Sequence, residues 1–143
     1  MSEQMPSYAP PVRPPDPLSP ENERIWAALA HLSAVFSLFS GGIFGSLISI
    51  IIWGVFKRRS KYVAFQALQA FIFQLATFGF GVCALLSPFL FLDNEGWFII
   101  TSLSAVCAIL WVFVLCAYAL IATVQCYNGA DFRYFIIGNF IPK

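Results

Sequence analysis

Charge is what this 143-residue chain has least of. Asp, Glu, Lys and Arg together make 10% of it, where soluble domains carry about 25%. Hydrophobic residues make 59%. Three runs, 25–56, 62–92 and 96–130, contain no Asp, Glu, Lys or Arg at all. Each is over thirty residues long, and roughly 20 apolar residues cross a bilayer as a helix. A soluble fold could not cover that much apolar surface, so the chain reads as an integral membrane protein.

The same scarcity excludes chemistry. Proton relays, ion pathways and metal clusters inside membranes use ionisable side chains placed at depth. Only His31 qualifies, and it has neither a carboxylate to orient it nor a second ligand four residues on. The four cysteines, Cys83, Cys107, Cys116 and Cys126, show no metal-type spacing and read as small hydrophobes. The sequence therefore predicts no enzyme, no metal and no cofactor. A net charge of +1 recruits no nucleic acid.

What charge there is lies mostly in one place. Lys57, Arg58, Arg59 and Lys61 fall within five residues, between two apolar runs. Lys and Arg stay on the cytoplasmic side of a membrane, so this loop fixes the orientation of its neighbours and faces the lipid headgroups. Asp93–Gly96 is then an external turn, and the residues after Gly129 are cytoplasmic.

Taken in order, the chain opens with a Pro-rich tail, residues 1–20, holding seven of the nine prolines. It lacks the basic start and apolar middle of a signal peptide. Pro11, Pro14, Pro17 and Pro20 recur every three residues, the period of a polyproline II helix. Ser19-Pro20-Glu21 is a helix start: a capping hydroxyl, a proline suited to the first position, and acids that complement the dipole.

The run 25–56 admits two readings. It is either a helical hairpin, Glu21–Phe39 and Ile43–Phe56, turning at Gly41-Gly42, or one kinked helix. For the single helix speak Ser33, Ser37, Gly41, Gly45 and Ser49, which recur at every fourth position and suit close helix packing, with Gly41 and Gly45 as a GxxxG pair. A third helix is expected from Lys61 to about Phe91, capped by Ser60 and interrupted at Pro88. A fourth runs from about Trp97 to Gln125, closed by Gly129 as a left-handed cap. Residues 131–143 read as an interfacial segment along the cytoplasmic face.

Gln66, Gln69, Gln74 and Thr77 fall within an arc of about 140° at 100° per residue. Lipid cannot satisfy amides, so this face must meet protein, and His31 and Ser33 offer polar partners at a similar depth.

Arg24-Ile25-Trp26-Ala27-Ala28-Leu29-Ala30-His31-Leu32-Ser33, Tyr62-Val63-Ala64-Phe65-Gln66-Ala67-Leu68-Gln69-Ala70 and Asn128-Gly129-Ala130-Asp131-Phe132-Arg133-Tyr134 form three blocks. They resemble a family of small prokaryotic membrane proteins of unknown function, distantly similar to the twenty-kilodalton subunit of the chloroplast inner-envelope protein-import translocon. That resemblance implies a four-helix membrane domain and so favours the hairpin. The resulting expectation is an all-α membrane bundle, residues 21–130, with both termini cytoplasmic, in the plasma membrane of a prokaryote. Its expected role is a non-enzymatic scaffold or assembly component linked to protein translocation, self-associating or bound to other membrane proteins. The alternative is a small oligomeric transporter or channel subunit.

Overall fold

A computed structural model describes residues 16–40, 43–87, 89, 96–135 and 137–141. Among them every regular element is helical: α1 (Pro20–Phe39), α2 (Ile43–Phe56), α3 (Lys61–Leu86), α4 (Trp97–Tyr127) and a short α5 (Ile137–Phe140).

The ends of these helices follow from local chemistry. Ser19 caps α1, its hydroxyl accepting from Asn22 N–H at 3.4 Å, with Pro20 as first helical residue. Ser60 caps α3 in the same way, accepting from Val63 N–H at 3.1 Å. At the end of α4, Gly129 N–H donates to Cys126 O at 3.0 Å and Ala130 N–H to Gln125 O at 2.9 Å. That pair of bonds needs a left-handed residue, and Gly129 supplies it at φ 81°. A side chain is excluded there for a second reason: a Cβ would lie 2.7 Å from Arg24 Nε. The regular part of α3 stops at Leu86, short of the Phe91 expected; Pro88 follows two residues on and cannot donate the bond that would prolong the helix.

Helix α1 is antiparallel to α2. The Trp26 and Phe56 rings meet at a tilt, 4.9 Å apart, Ser33 Oγ lies 2.8 Å from Ser49 Oγ, and Ser37 stands beside Gly45. The small-residue stripe is thus split between two facing helices, Ser33 and Ser37 on α1 and Gly45 and Ser49 on α2. A Cβ on Gly45 would overlap Ser37 Oγ and the Ser33 carbonyl, so only glycine allows the helices this close. Gly41, the other glycine of the expected packing pair, lies outside the described residues. Helix α3 runs beside α1 and α2, while α4 crosses back against α1 and α3.

Burial is confined to one end. The buried residues of α3 all lie between Val63 and Gln74, and those of α4 are Ala119, Ala122 and Cys126. Small residues dominate this core, with Ala27, Ala28 and Ala30 of α1 against Ala122, Cys126 and Ala67. The other halves of α3 and α4 expose Phe80, Leu85, Phe98 and Phe113. Both helices are long and apolar enough to cross a membrane.

Gly45→Ala should lower the stability of the purified protein in detergent by about 1–3 kcal/mol, since the methyl has nowhere to go. Gly54→Ala, where nothing lies within 4 Å, should leave stability unchanged or slightly raised. Equal effects of the two would refute the close α1–α2 approach.

Candidate functional site

The polar residues of the bundle gather in two buried clusters. The first is built on His31 of α1. The amide nitrogen of Gln66 donates to Phe132 O at 3.1 Å and to Asp131 Oδ1 at 3.3 Å, so its oxygen faces the histidine. His31 Nε2 therefore carries the proton and donates to Gln66 Oε1 at 3.1 Å. The other ring nitrogen, Nδ1, must then accept, and it does so from the Tyr134 hydroxyl at 3.0 Å. Gln69 completes the set. Its nitrogen donates to Phe132 O at 3.2 Å and Gln66 Oε1 at 3.4 Å, and its oxygen accepts from Tyr134 N–H at 3.2 Å. His31, Gln66 and Gln69 are fully buried.

Aromatic rings enclose this cluster. Phe73 stacks on Tyr134 at 4.0 Å, and Tyr118 meets Tyr134 edge-on at 5.2 Å. Phe132 packs edge-on to His31 at 5.5 Å. Burial, followed by the neighbouring Cys126 and Tyr118, pushes the Tyr134 phenol well above its ordinary range. Tyr134 is thus fixed as a donor, as the histidine requires.

The second cluster lies deeper, between α1, α2 and α3. Gln74 Nε2 donates to Ser33 Oγ at 3.1 Å and to Ser49 Oγ at 3.0 Å, while its oxygen accepts from Ser37 at 3.2 Å. The two serine hydroxyls also lie 2.7 Å and 3.0 Å from Ala30 O. Among the described residues no buried side-chain nitrogen or oxygen lacks a partner.

The basic turn stands apart from both clusters. Lys57 Nζ lies 4.6 Å over the Trp53 ring, Arg59 Nε donates to Asp16 O at 3.2 Å, and Arg58 and Lys61 are exposed. Arg133 and Asp131 form an ion pair at 3.6 Å, at the surface. No group of His, Cys, Asp or Glu among them could hold a metal ion.

Sequence reasoning placed the glutamines on one protein-facing side but assigned them only α1 as a partner. The structure adds the C-terminal segment. Residues 131–143, expected along the face of the bundle, send Phe132 and Tyr134 into it, at 6% and 2% exposure, while Phe135 and Phe140 stay outside. Tyr134, the Phe132 carbonyl and Ser49 were missed as partners of the glutamines and His31. Tyr62, whose hydroxyl donates to Ala130 O at 2.9 Å, was missed as well. The available signal was the block Asn128–Tyr134: two aromatics beside a helix-ending glycine, too close to that end to be a span of their own.

A family model described as the magnetosome magnetite crystal formation protein family (MamF/MmsF) matches residues 22–141. No curated protein and no solved structure matches the chain. The family match overturns the resemblance to a family of unknown function and to the chloroplast translocon subunit. All three blocks that carried that resemblance lie inside the matched span, and the link to protein translocation loses its support with it.

Gln69→Leu should cost about 1–3 kcal/mol, because it leaves the buried Tyr134 N–H without a partner. Hydrogen exchange should show the Tyr134 amide losing protection while amides in the middle of α4 keep theirs. Unchanged exchange at Tyr134 would mean that the segment is held by its rings alone.

Proposed function

The chain belongs to the magnetosome magnetite crystal formation protein family, and from that premise we propose that it is a non-enzymatic, multi-pass component of the magnetosome membrane. That membrane is a specialised invagination of the bacterial cytoplasmic membrane, and the family is involved in forming the vesicle and its magnetite crystal. Its role in this reading is that of a membrane assembly component, associating with itself or with other membrane proteins.

Four helices enter the bilayer in this reading. The α1–α2 hairpin and the α3–α4 pair have their open ends on the cytoplasmic side, where the Lys57–Lys61 turn lies. Residues 21–130 form the membrane domain, 1–20 a cytoplasmic tail, and the segment after Ala130 folds back into the cytoplasmic end of the bundle. His31, Gln66, Gln69 and Gln74 act as interhelical contacts that set the helices in register.

The observation that carries a structural rather than a chemical role is the closure of the two polar clusters. Every donor in them has an acceptor within the protein, so no buried polar group among the described residues is left over for a substrate or a conducted ion. A transporter needs polar groups that exchange partners along a path. Here the glutamines are committed to the carbonyl of Phe132 and to serine hydroxyls.

Purified magnetosomes should retain the chain after alkaline carbonate washing. In cells whose native cysteines are replaced, Asn94→Cys should react with a membrane-impermeant reagent only after the magnetosome membrane is opened, or from outside when the chain sits in the cytoplasmic membrane. Arg59→Cys should react from the cytoplasmic side. Release by carbonate would overturn the membrane reading, and the opposite labelling pattern would overturn the orientation.

A further inference from the structure

The two helical pairs differ in length, and the difference is directional. Helix α2 has 14 residues, about 21 Å of helix, and the apolar part of α1 that follows Arg24 is of similar length. A hydrocarbon core is about 30 Å thick and takes roughly 20 helical residues to cross. Neither arm reaches the far side. By contrast α3 and α4, with 26 and 31 residues, extend about 39 and 46 Å.

The polar contacts fix where the short pair stops. Ser37 of α1 bonds Gln74, and Gly45 of α2 stands against the same glutamine. Helix α1 runs parallel to α3, so Ser40, the last described residue before the turn, is level with about Thr77. From there α3 continues to Leu86, roughly 14 Å further. Burial stops at the same level. No residue of α3 beyond Gln74, and none of α4 before Ala119, is buried.

Past the hairpin tip, among the described residues, α3 and α4 have each other as neighbours. Phe80 lies 4.8 Å from Trp111 and Ser87 Oγ lies 3.5 Å from Ser104 Oγ. A cleft of about 450 Å³ opens where the hairpin ends, walled by Ser37, Phe73, Gln74, Phe78 and Trp111. Among the described residues there are therefore four helices in cross-section at the end that bears the basic turn and two at the other.

We propose that this chain is a membrane wedge: it prefers, and stabilises, bilayers whose basic-turn leaflet is the convex one. The inference rests on the membrane reading given above. Four helices displace about twice the lipid area of two, so the leaflet holding the hairpin is expanded relative to the other. A bilayer relieves such an imbalance by bending toward the expanded side, and hydrophobic segments too short to span it are accommodated by local deformation. With the basic turn cytoplasmic, the favoured shape is a membrane bulging into the cytoplasm. The outer leaflet of an invaginated vesicle has that curvature.

The test uses the full chain, labelled at its N-terminus with a fluorophore and reconstituted into liposomes of neutral lipid sorted from small and strongly curved to large and nearly flat. An impermeant quencher reports the fraction whose hairpin end faces outward. This fraction should rise as diameter falls, by about twofold or more between the extremes, because the convex outer leaflet accommodates the wider end of the protein. A fraction independent of diameter, in vesicles shown by carbonate washing and flotation to hold the inserted protein, would overturn the wedge and leave the membrane reading intact. Failure to insert at all would instead overturn the membrane reading, and the wedge with it. A variant with seven apolar residues added to each arm beside the turn lengthens the hairpin by about 10 Å. It should lose the dependence on diameter. If that variant does not fold, the wild-type dependence alone still decides.

Discussion

The constraint on which the rest depends is that an amide in lipid has nothing to bond to but protein. Gln66, Gln69 and Gln74 sit in a helix that is otherwise apolar, so each must find acceptors and donors on neighbouring elements. Gln66 and Gln69 find theirs on the Phe132 carbonyl, 3.1 and 3.2 Å away, and on His31 and the Tyr134 amide. Gln74 finds its own on Ser33, Ser37 and Ser49. Between them, three side chains of one helix tie down α1, α2 and the segment after α4. Hydrophobic burial cannot do this inside a bilayer, because an apolar surface loses nothing by facing lipid instead of another helix. Direction and register come from the polar atoms, and close approach comes from Gly45 and the alanines.

That division explains what was legible in the sequence. The helices were readable from long uncharged runs and from caps whose chemistry is local: Ser19, Ser60 and Gly129 each act within four residues of themselves. The glutamine face was readable too, because helical periodicity places Gln66, Gln69 and Gln74 together. The stripe of small residues was readable as a packing surface, but its period is the same whether it runs along one helix or is divided between two. Pairing across the bundle was not legible. That Tyr134 reaches His31 across 103 positions depends on how α4 returns and on where Gly129 ends it. No spacing rule connects those positions. The resemblance drawn from the three blocks named the wrong family, yet the residues in those blocks are the ones that meet: His31 from the first, Gln66 and Gln69 from the second, Phe132 and Tyr134 from the third.

The position of the polar clusters also accounts for the uneven build of the molecule. Both lie in the half of the bundle where α1 and α2 are present, and the deeper one, at Gln74, sits near the tip of the hairpin. A short hairpin of apolar helices would have little to hold it at a given depth in lipid. Serines 33, 37 and 49 bonded to one glutamine give it a fixed level against α3. Beyond that level the chain contains no buried polar side chain among the described residues, and the surfaces of α3 and α4 turn to large apolar residues such as Leu85, Phe98 and Phe113. Where the polar contacts end, the four-helix section ends as well.

The two halves should therefore answer differently to sequence change. In the packed half the buried positions face neighbours within contact distance, and volume or polarity there is set by those neighbours: glycine at 45 by the Ser33 carbonyl, glycine at 129 by the Arg24 guanidinium. In the other half the large apolar side chains are exposed; against lipid, which adapts to any shape, size and branching would be free while hydrophobicity would not. The family match runs across both halves, from residue 22 to 141. In a bilayer, leaving the outer halves of α3 and α4 uncovered costs little, because their apolar surface loses nothing by facing lipid. Their bareness fits a function in which the shape of the protein across the bilayer, rather than a site inside it, is what acts.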